Sequence, residues 1–237
     1  MGIVRMRRIA IFAEGYTELQ FLEQLILKIA TENTVQVEKR QISGGTSKPI
    51  SVVVLQSPGV PADEEYYVLL VDCQGDEQVR KRIGENHASL TKKGYEKIIG
   101  IRDVAPKYRR EEISKLEAGL RMYIKSSLTP VEIFLTVMEI EAWFLAEHSH
   151  FERIDQLITM HAIKSALGFD PSVDDTSLRE NPTSDLDLAY RIAGKGYEKG
   201  GDAKTMAALD YEMMYLELGN RVSNLGKLVS SLDAFFS

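Results

Sequence analysis

The chain has 237 residues, a formal net charge of −6 and 44% hydrophobic residues, a composition typical of a globular protein with one large core or a core domain plus an extension. Its single cysteine, Cys73, excludes a disulfide framework and a cysteine-ligated zinc site, and predicts a cytoplasmic protein. The negative charge argues against a general nucleic-acid coat, but not against an enzyme with a local basic patch. The apolar N-terminal stretch is too short for a membrane span and lacks a signal-peptide cleavage site, so no membrane association is expected.

A short apolar run near the N-terminus predicts the first strand of a buried sheet. Residues 9–13 are apolar almost without interruption, as in a strand that is covered on both faces. Glu14 follows directly, and Thr17 with Gln20 has the spacing of a capping box at the start of an amphipathic helix. Because Thr17 can cap that helix, Glu14 has no evident structural role, and an unpaired glutamate is costly to bury. We therefore predict a chemical role for Glu14.

Three further apolar runs also end in carboxylates. Strands predicted at 66–72, 97–103 and 131–139 end in Asp72, Asp103 and Glu139, and Glu141 follows two residues later. The other predicted elements are an edge or half-buried strand at 35–42, a strand or helical turn at 50–55, a helix that Asp76 caps and Gly94 closes, and a helix at about 111–126.

Strands and helices that alternate at this spacing predict an α/β fold, in which a mostly parallel, Rossmann-like sheet is flanked by helices. We expect residues 1–147 to form this domain. Residues 148–237 contain helical segments separated by an acidic loop and a glycine-rich loop, and we expect them to form a helical extension packed on the sheet domain.

The carboxylates at the strand ends predict a metal site, because open parallel sheets bind ligands at the carboxyl ends of their strands. Asp72 or Asp103 alone could equally cap the next helix. Together, like charges at one edge repel unless a cation joins them, and oxygen-only ligands suit Mg²⁺ or Mn²⁺. We predict Glu14 and Asp72 as catalytic residues, and Glu14, Asp72, Asp103 and Glu141 as metal ligands, with Glu139 as a further candidate. Glu14, Asp72 and Asp103 should then converge within the span of one hydrated ion.

Basic residues near the predicted site suggest phosphate binding. Arg102 and Lys107 lie at and just after the end of the third carboxylate-terminated strand, and Lys195 and Lys199 flank Tyr197 in the glycine-rich loop. Each alone is compatible with an ordinary solvated side chain. Together they predict a substrate-binding role toward a nucleic-acid backbone.

Other sites are not supported by the sequence. The turn after the first strand lacks the dinucleotide-binding glycine fingerprint and the Walker A lysine. A serine-hydrolase nucleophile elbow is also missing, and the four histidines do not have the spacing of metal ligands.

The motif Glu14-Gly15-x-Thr17-Glu18 after a buried strand, followed by a strand ending in Asp72, resembles the Toprim domain. This domain is shared by topoisomerases, primases and overcoming-lysogenization-defect nucleases, and the resemblance covers about the first 105 residues. It implies that Glu14 and Asp72 bind Mg²⁺ and act on phosphodiester bonds. Residues 139–146 further resemble a segment of a bacterial Toprim-like family associated with phage defence and paired with an ATPase. The chain departs from the pattern at Gln74, where the family's Asp-x-Asp has its second acid.

Three functions compete on this evidence. The first is a Mg²⁺- or Mn²⁺-dependent nuclease that cleaves DNA or RNA in phage defence. The second is a non-catalytic subunit with a Toprim fold that partners a co-encoded ATPase, and Gln74 is its best support. The third, a small-molecule phosphotransferase or phosphatase, is disfavoured because the first strand ends in Glu-Gly rather than in a nucleophilic aspartate.

Overall fold

A computed structural model describes residues 6–30, 34–45, 47–59, 65–122, 124–200 and 203–237. Its strands are β1 (Arg7–Ala13), β2 (Val35–Ser43), β3 (Ser51–Gln56), β4 (Tyr66–Asp72), β5 (Lys97–Asp103) and β6 (Val131–Thr136). They form a six-stranded sheet in the order β3-β2-β4-β1-β5-β6. The β2–β4, β4–β1 and β1–β5 pairs are parallel, and β3 is antiparallel to β2. The predicted mostly parallel α/β sheet is therefore confirmed.

Helices connect the strands and make up most of the chain after β6. They are α1 (Tyr16–Ile29), α2 (Asp76–Lys92), α3 (Ile113–Arg121), α4 (Glu141–Ala146), α5 (His150–Ile154), α6 (Met160–Leu167), α7 (Pro182–Arg191), α8 (Ala203–Ala208), α9 (Tyr211–Leu216) and α10 (Ser223–Phe236). Among the described residues, no helix combines the length and the apolar character that crossing a membrane requires.

The chain divides into two compact units. The first unit comprises residues 1–102, 111–135 and 232–237, and the second comprises residues 103–110 and 136–231. This division groups residues 136–147 with the helices that follow them, whereas the sequence placed them on the sheet side of a boundary at residue 147. The chain passes between the units at four points, so the units are not consecutive segments.

The core of the first unit forms where helices cover the sheet. Val79 and Ile83 of α2 pack with Ala10 and Phe12 of β1 in one buried cluster. Successive side chains of a strand point to opposite faces, so the residues of β1 between these point away from α2. Helix α1 packs against β1, β2 and β4. Burial of β1 on both faces explains its almost continuous apolar sequence.

The predicted N-caps of the first two long helices are wrong. Helix α1 begins at Tyr16 with Gly15 as its N-cap, and Thr17 is buried inside the first turn. Helix α2 likewise begins at Asp76 with Gly75 as its N-cap, and neither cap has a side-chain hydrogen bond. Glycine is an acceptable N-cap, so α1 starts before Thr17, the residue at which the capping-box spacing predicts the cap. Glu14 is still not a helix cap.

Two other predicted boundaries also change. The helix predicted at 111–126 is a 3₁₀ turn followed by α3, which ends at Arg121. Strand β6 ends at Thr136 rather than at Glu139, because the chain turns there. In this turn the backbone N–H of Val104 donates to the carbonyl oxygens of Thr136 (3.2 Å) and Met138 (3.0 Å). The prediction that Gly94 closes α2 is confirmed by its left-handed φ of 78°.

Candidate metal centre

The second unit gathers three carboxylates that come from different elements. Asp103 is the last residue of β5, Glu139 lies in the turn after β6, and Glu141 is the first residue of α4. One oxygen of each lies within 4.8 Å of the others. Asp103 and Glu141 are fully buried, and Glu139 is half-buried. We call Asp103, Glu139 and Glu141 the carboxylate cluster.

Asp103 is held in place through one of its two oxygens. Its Oδ1 accepts hydrogen bonds from the Thr136 hydroxyl and from the backbone N–H of Ile140 (3.1 Å). Ile140 is the N-cap of α4, so this bond also satisfies a backbone donor at the start of α4. Helix α4 is not the helix that directly follows Asp103 in the sequence. Asp103 therefore has a structural partner, and its Oδ2 takes part in a different contact.

The two glutamates follow the same arrangement. Glu139 Oε2 accepts from the backbone N–H of Thr183 (3.1 Å), the second residue of α7, where the positive end of the helix dipole favours a carboxylate. Glu141 Oε1 accepts from the Tyr197 hydroxyl (2.8 Å). Each carboxylate of the cluster is thus oriented by a hydrogen bond to one oxygen.

Lys199 provides the positive charge of the cluster. Its Nζ donates to Asp103 Oδ2 (2.9 Å) and lies 3.5 Å from Glu141 Oε2. Glu141 Oε2 is buried and accepts no hydrogen bond from any described residue. Two buried carboxylates therefore share one ammonium group, which compensates the cost of placing like charges together away from water.

The surroundings of Asp103 change its acidity. Burial raises the pKa of its carboxyl from 3.8 to about 6. The charge of the neighbouring Glu141 contributes to this rise, and the charge of Lys199 acts in the opposite direction. The lysine therefore helps to keep Asp103 ionised, as a metal ligand must be.

The donor set of the cluster fits a hard divalent cation. All three side chains offer oxygen, which suits Mg²⁺ or Mn²⁺ rather than a metal that prefers nitrogen or sulfur. The bonds from Thr136, Thr183 and Tyr197 resemble the outer hydrogen bonds that orient metal ligands in known sites. The buried Glu141 Oε2 accepts no hydrogen bond from a described residue, so a bound cation would satisfy this oxygen.

The first unit holds Asp72 in a different way. Asp72 is fully buried at the end of β4, and its Oδ1 accepts from the backbone N–H of Gln74 (2.8 Å). Its Oδ2 accepts from the side-chain amides of Gln74 (3.0 Å) and Gln41 (2.9 Å). Both oxygens are therefore satisfied by neutral donors. Gln74, which stands where the Toprim pattern has an acid, hydrogen-bonds to Asp72 instead of adding a carboxylate.

Glu14 also lies in the first unit, directly after β1, and is half-buried. Its carbonyl oxygen accepts from the backbone N–H of Gly75 (2.7 Å), and Ala13 is in register with Asp72 on the neighbouring parallel strand. The ends of β1 and β4 are thus tied together. The convergence of Glu14 and Asp72 with Asp103 stays a prediction.

The four predicted phosphate-binding residues have different environments. Arg102 is buried in β5, and Lys107 is exposed in the turn that follows. Lys195 Nζ donates to the Ile154 carbonyl (2.6 Å) and lies 3.1 Å from Asp155. Lys199 contacts the carboxylate cluster itself.

Sequence reasoning missed the parts played by Thr136 and Tyr197. Thr136 offered a weak signal, since it is a polar residue within an apolar run close to where that strand should end. In the sequence, Tyr197 stands out only as the residue between two lysines. Its backbone N–H donates to Asp187 Oδ1 (3.0 Å), which fixes the loop that also carries Lys199.

No protein-family model, curated protein or solved structure matches this chain. The geometry of the site and the Toprim-like motif of residues 14–18 are therefore what bears on function.

Proposed function

We propose that this protein is a Toprim-like, metal-dependent nuclease that hydrolyses phosphodiester bonds of DNA or RNA, acting in the cytoplasm and in phage defence. The observation that carries the proposal is the carboxylate cluster of the second unit. Its members lie within 4.8 Å of one another, a protein hydrogen bond orients one oxygen of each, and Lys199 joins two of them. Asp103, Glu139 and Glu141 would hold Mg²⁺ or Mn²⁺.

A bound divalent ion polarises a phosphoryl oxygen and provides a nucleophilic water at neutral pH. The residues of the chain supply the rest. Tyr197 and Thr136 hold one oxygen each of Glu141 and Asp103, so that the other oxygen of each would be available to the ion. Lys199 is one-third exposed and can turn to neutralise the charge of the scissile phosphate. Its contact with the cluster is therefore compatible with its predicted role in substrate binding.

The Toprim-like motif assigns further roles within this proposal. Glu14 is proposed as a metal ligand or general base, and Asp72 as a metal ligand. Gln74 takes the place of the family's second acid, so we propose that the carboxylate cluster provides the oxygen ligands that the Asp72–Gln74 segment lacks. Arg102, Lys107 and Lys195 remain proposed contacts for the nucleic-acid backbone.

A second function is favoured by one observation. Both oxygens of Asp72 are satisfied by glutamine amides, as expected for a Toprim fold that no longer binds metal there. In this alternative the protein is a non-catalytic subunit of a co-encoded ATPase, and the Lys199 contact is only a structural ion pair.

The two functions are separated by Glu141→Gln, which keeps an oxygen for the Tyr197 hydroxyl but removes the charge. Glu152→Gln is the matched control, since Glu152 is an exposed carboxylate on α5 of the same unit. Melting temperatures are measured with and without Mn²⁺, and cleavage is assayed on single-stranded DNA, duplex DNA and RNA.

We expect Mn²⁺ to raise the melting temperature of the wild type and of the control, and to leave Glu141→Gln unchanged. Cleavage by Glu141→Gln should fall at least ~100-fold, because an amide cannot neutralise the ion. A wild type with neither a metal-induced shift nor cleavage, alone or with a co-encoded ATPase, would leave the interaction subunit as the function.

A further inference from the structure

Thr183 brings a hydroxyl group close to the carboxylate cluster. It is the second residue of α7, and its backbone N–H donates to Glu139 Oε2 (3.1 Å). A threonine Oγ1 lies at most ~3.8 Å from the amide nitrogen of its own residue, so Thr183 Oγ1 is no more than about 7 Å from Glu139 Oε2. A hydrated ion spans about 7 Å from a ligand oxygen, through the ion and one bound water, to a hydroxyl that hydrogen-bonds to this water.

The hydroxyl of Thr183 is shielded from solvent without a hydrogen-bond partner in the described part of the chain. Its Oγ1 is buried and forms no hydrogen bond with any described residue. A threonine inside a helix can bond to a carbonyl of the preceding turn, but at the second residue of a helix no such turn exists. Burying a hydroxyl without a hydrogen bond is costly, so a bound ion or an ordered water is the usual explanation for such a group.

The same condition applies to a second oxygen of this site. Glu141 Oε2 is also buried and accepts no hydrogen bond from a described residue. The carboxylates of Glu139 and Glu141 each offer an oxygen within 4.8 Å of the other and of Asp103. A single hydrated cation at the cluster would therefore satisfy Glu141 Oε2 directly and the Thr183 hydroxyl through a water.

We propose that Thr183 is a further residue of the metal centre, and that its hydroxyl hydrogen-bonds to a water that the ion retains. This inference rests on the proposed function and adds a residue to its site. Mg²⁺ usually keeps several waters in protein sites, and three carboxylates leave positions for them. A neutral partner suits this place, because a further charge would add to the repulsion among the carboxylates. Thr183 is thus a positioning residue that orients Glu139 through its N–H and a bound water through its hydroxyl.

The test compares Thr183→Val with Thr183→Ser in the full chain. Valine keeps the β-branched shape and the backbone N–H to Glu139 but removes the hydroxyl, whereas serine keeps the hydroxyl. The control is Thr129→Val in the first unit, because the buried Thr129 hydroxyl donates to the Tyr95 carbonyl (2.8 Å). Mn²⁺ binding is measured from the electron paramagnetic resonance signal of the free ion, and melting temperatures are measured without metal.

We expect the two hydroxyl deletions to have opposite patterns. Thr183→Val should raise the Mn²⁺ dissociation constant at least ~10-fold, as the loss of outer partners does in metal sites. Its metal-free melting temperature should not fall, because no hydrogen bond within the protein is lost. Thr183→Ser should keep an Mn²⁺ affinity close to that of the wild type. Thr129→Val should melt at a lower temperature and bind Mn²⁺ as the wild type does.

Three results would overturn the inference and leave the metal centre in place. The first is Mn²⁺ binding by Thr183→Val as tight as that of the wild type. The second is a metal-free melting temperature of Thr183→Val that falls, since the hydroxyl would then have a structural partner. The third is an equal loss of affinity in Thr183→Ser, which would assign the effect to the methyl group. A wild type that binds no Mn²⁺ would instead reject the metal centre of the proposed function, and this inference with it.

Discussion

The two units stabilise buried carboxylates in opposite ways. In the first unit, neutral amides of Gln41 and Gln74 satisfy both oxygens of Asp72. In the second unit, hydrogen bonds hold one oxygen of Asp103 and one of Glu141, and the ammonium of Lys199 faces the other oxygens. Amide donors stabilise a carboxylate but compete with a metal for its oxygens. A partly exposed ammonium, in contrast, occupies a place that we propose another cation can take.

A buried histidine in the second unit extends the comparison to a group whose charged form is disfavoured by burial. His150 is fully buried, and burial lowers the pKa of its imidazole to about 4, against 6.5 in an exposed histidine. The unfolded chain therefore binds a proton between pH 6.5 and 4 that the folded protein does not, so stability is present above pH 6.5 and is lost as the pH falls toward 4. We expect His150 to cost the folded state about 3 kcal/mol by pH 4.

Urea unfolding at pH 7 and pH 4.5 measures this effect. The nearby Glu147, whose pKa burial raises, contributes with the opposite sign, so the histidine is isolated by comparing variants. His150→Leu should lose stability with acid less steeply than the wild type. His161→Leu, at an exposed position of α6, should keep the wild-type slope. Equal slopes in both variants would show that His150 is not kept neutral by burial.

The proposal that a metal ion can take the place of the Lys199 ammonium in the second unit is tested by Lys199→Met. Without metal, the variant leaves Asp103 and Glu141 with no shared counter-charge, and we expect a loss of about 2 kcal/mol, less than for a fully buried pair because Lys199 is partly exposed. Mn²⁺ should restore this loss and should bind more tightly than to the wild type.

The control is Lys195→Met, in the same loop but paired with the partly exposed Asp155, and it should change stability less than Lys199→Met does. Melting curves with and without Mn²⁺ measure both variants. Weaker Mn²⁺ binding by Lys199→Met would contradict the idea that the lysine occupies the place of a metal.

The smallest expected effect is that of Gln74→Asp in the first unit. This change introduces the acid that the Toprim pattern has at this position and replaces the side-chain amide contact to Asp72 with like-charge repulsion, so metal-free stability should fall by about 1 kcal/mol. The left-handed φ of 61° at Gln74 is tolerated by aspartate and asparagine. Gln74→Asn is the control without charge. Mn²⁺ should stabilise only the aspartate variant further than the wild type, and equal shifts in all three would show that Asp72 is no metal ligand even with the acid restored.

Features encoded locally were predictable from the sequence. Strands β1, β4 and β5 are continuous apolar runs, and Asp72 and Asp103 lie at their carboxyl ends as expected. The contact between Lys199 and Asp103 joins residues 96 positions apart, and no local pattern indicates which charge the lysine meets. The N-cap at Thr17 was wrong because Gly15 offered an earlier start that the capping-box spacing does not weigh.

We propose that the carboxylate cluster of the second unit binds the catalytic metal. It is tested most directly by anomalous diffraction from a crystal of the protein grown with Mn²⁺. We expect a Mn²⁺ peak about 2.1 Å from oxygens of Asp103, Glu139 and Glu141, with Lys199 Nζ displaced from Asp103. An ordered structure with Lys199 still bound to Asp103 and no peak at these carboxylates, at a Mn²⁺ concentration that supports cleavage, would contradict it.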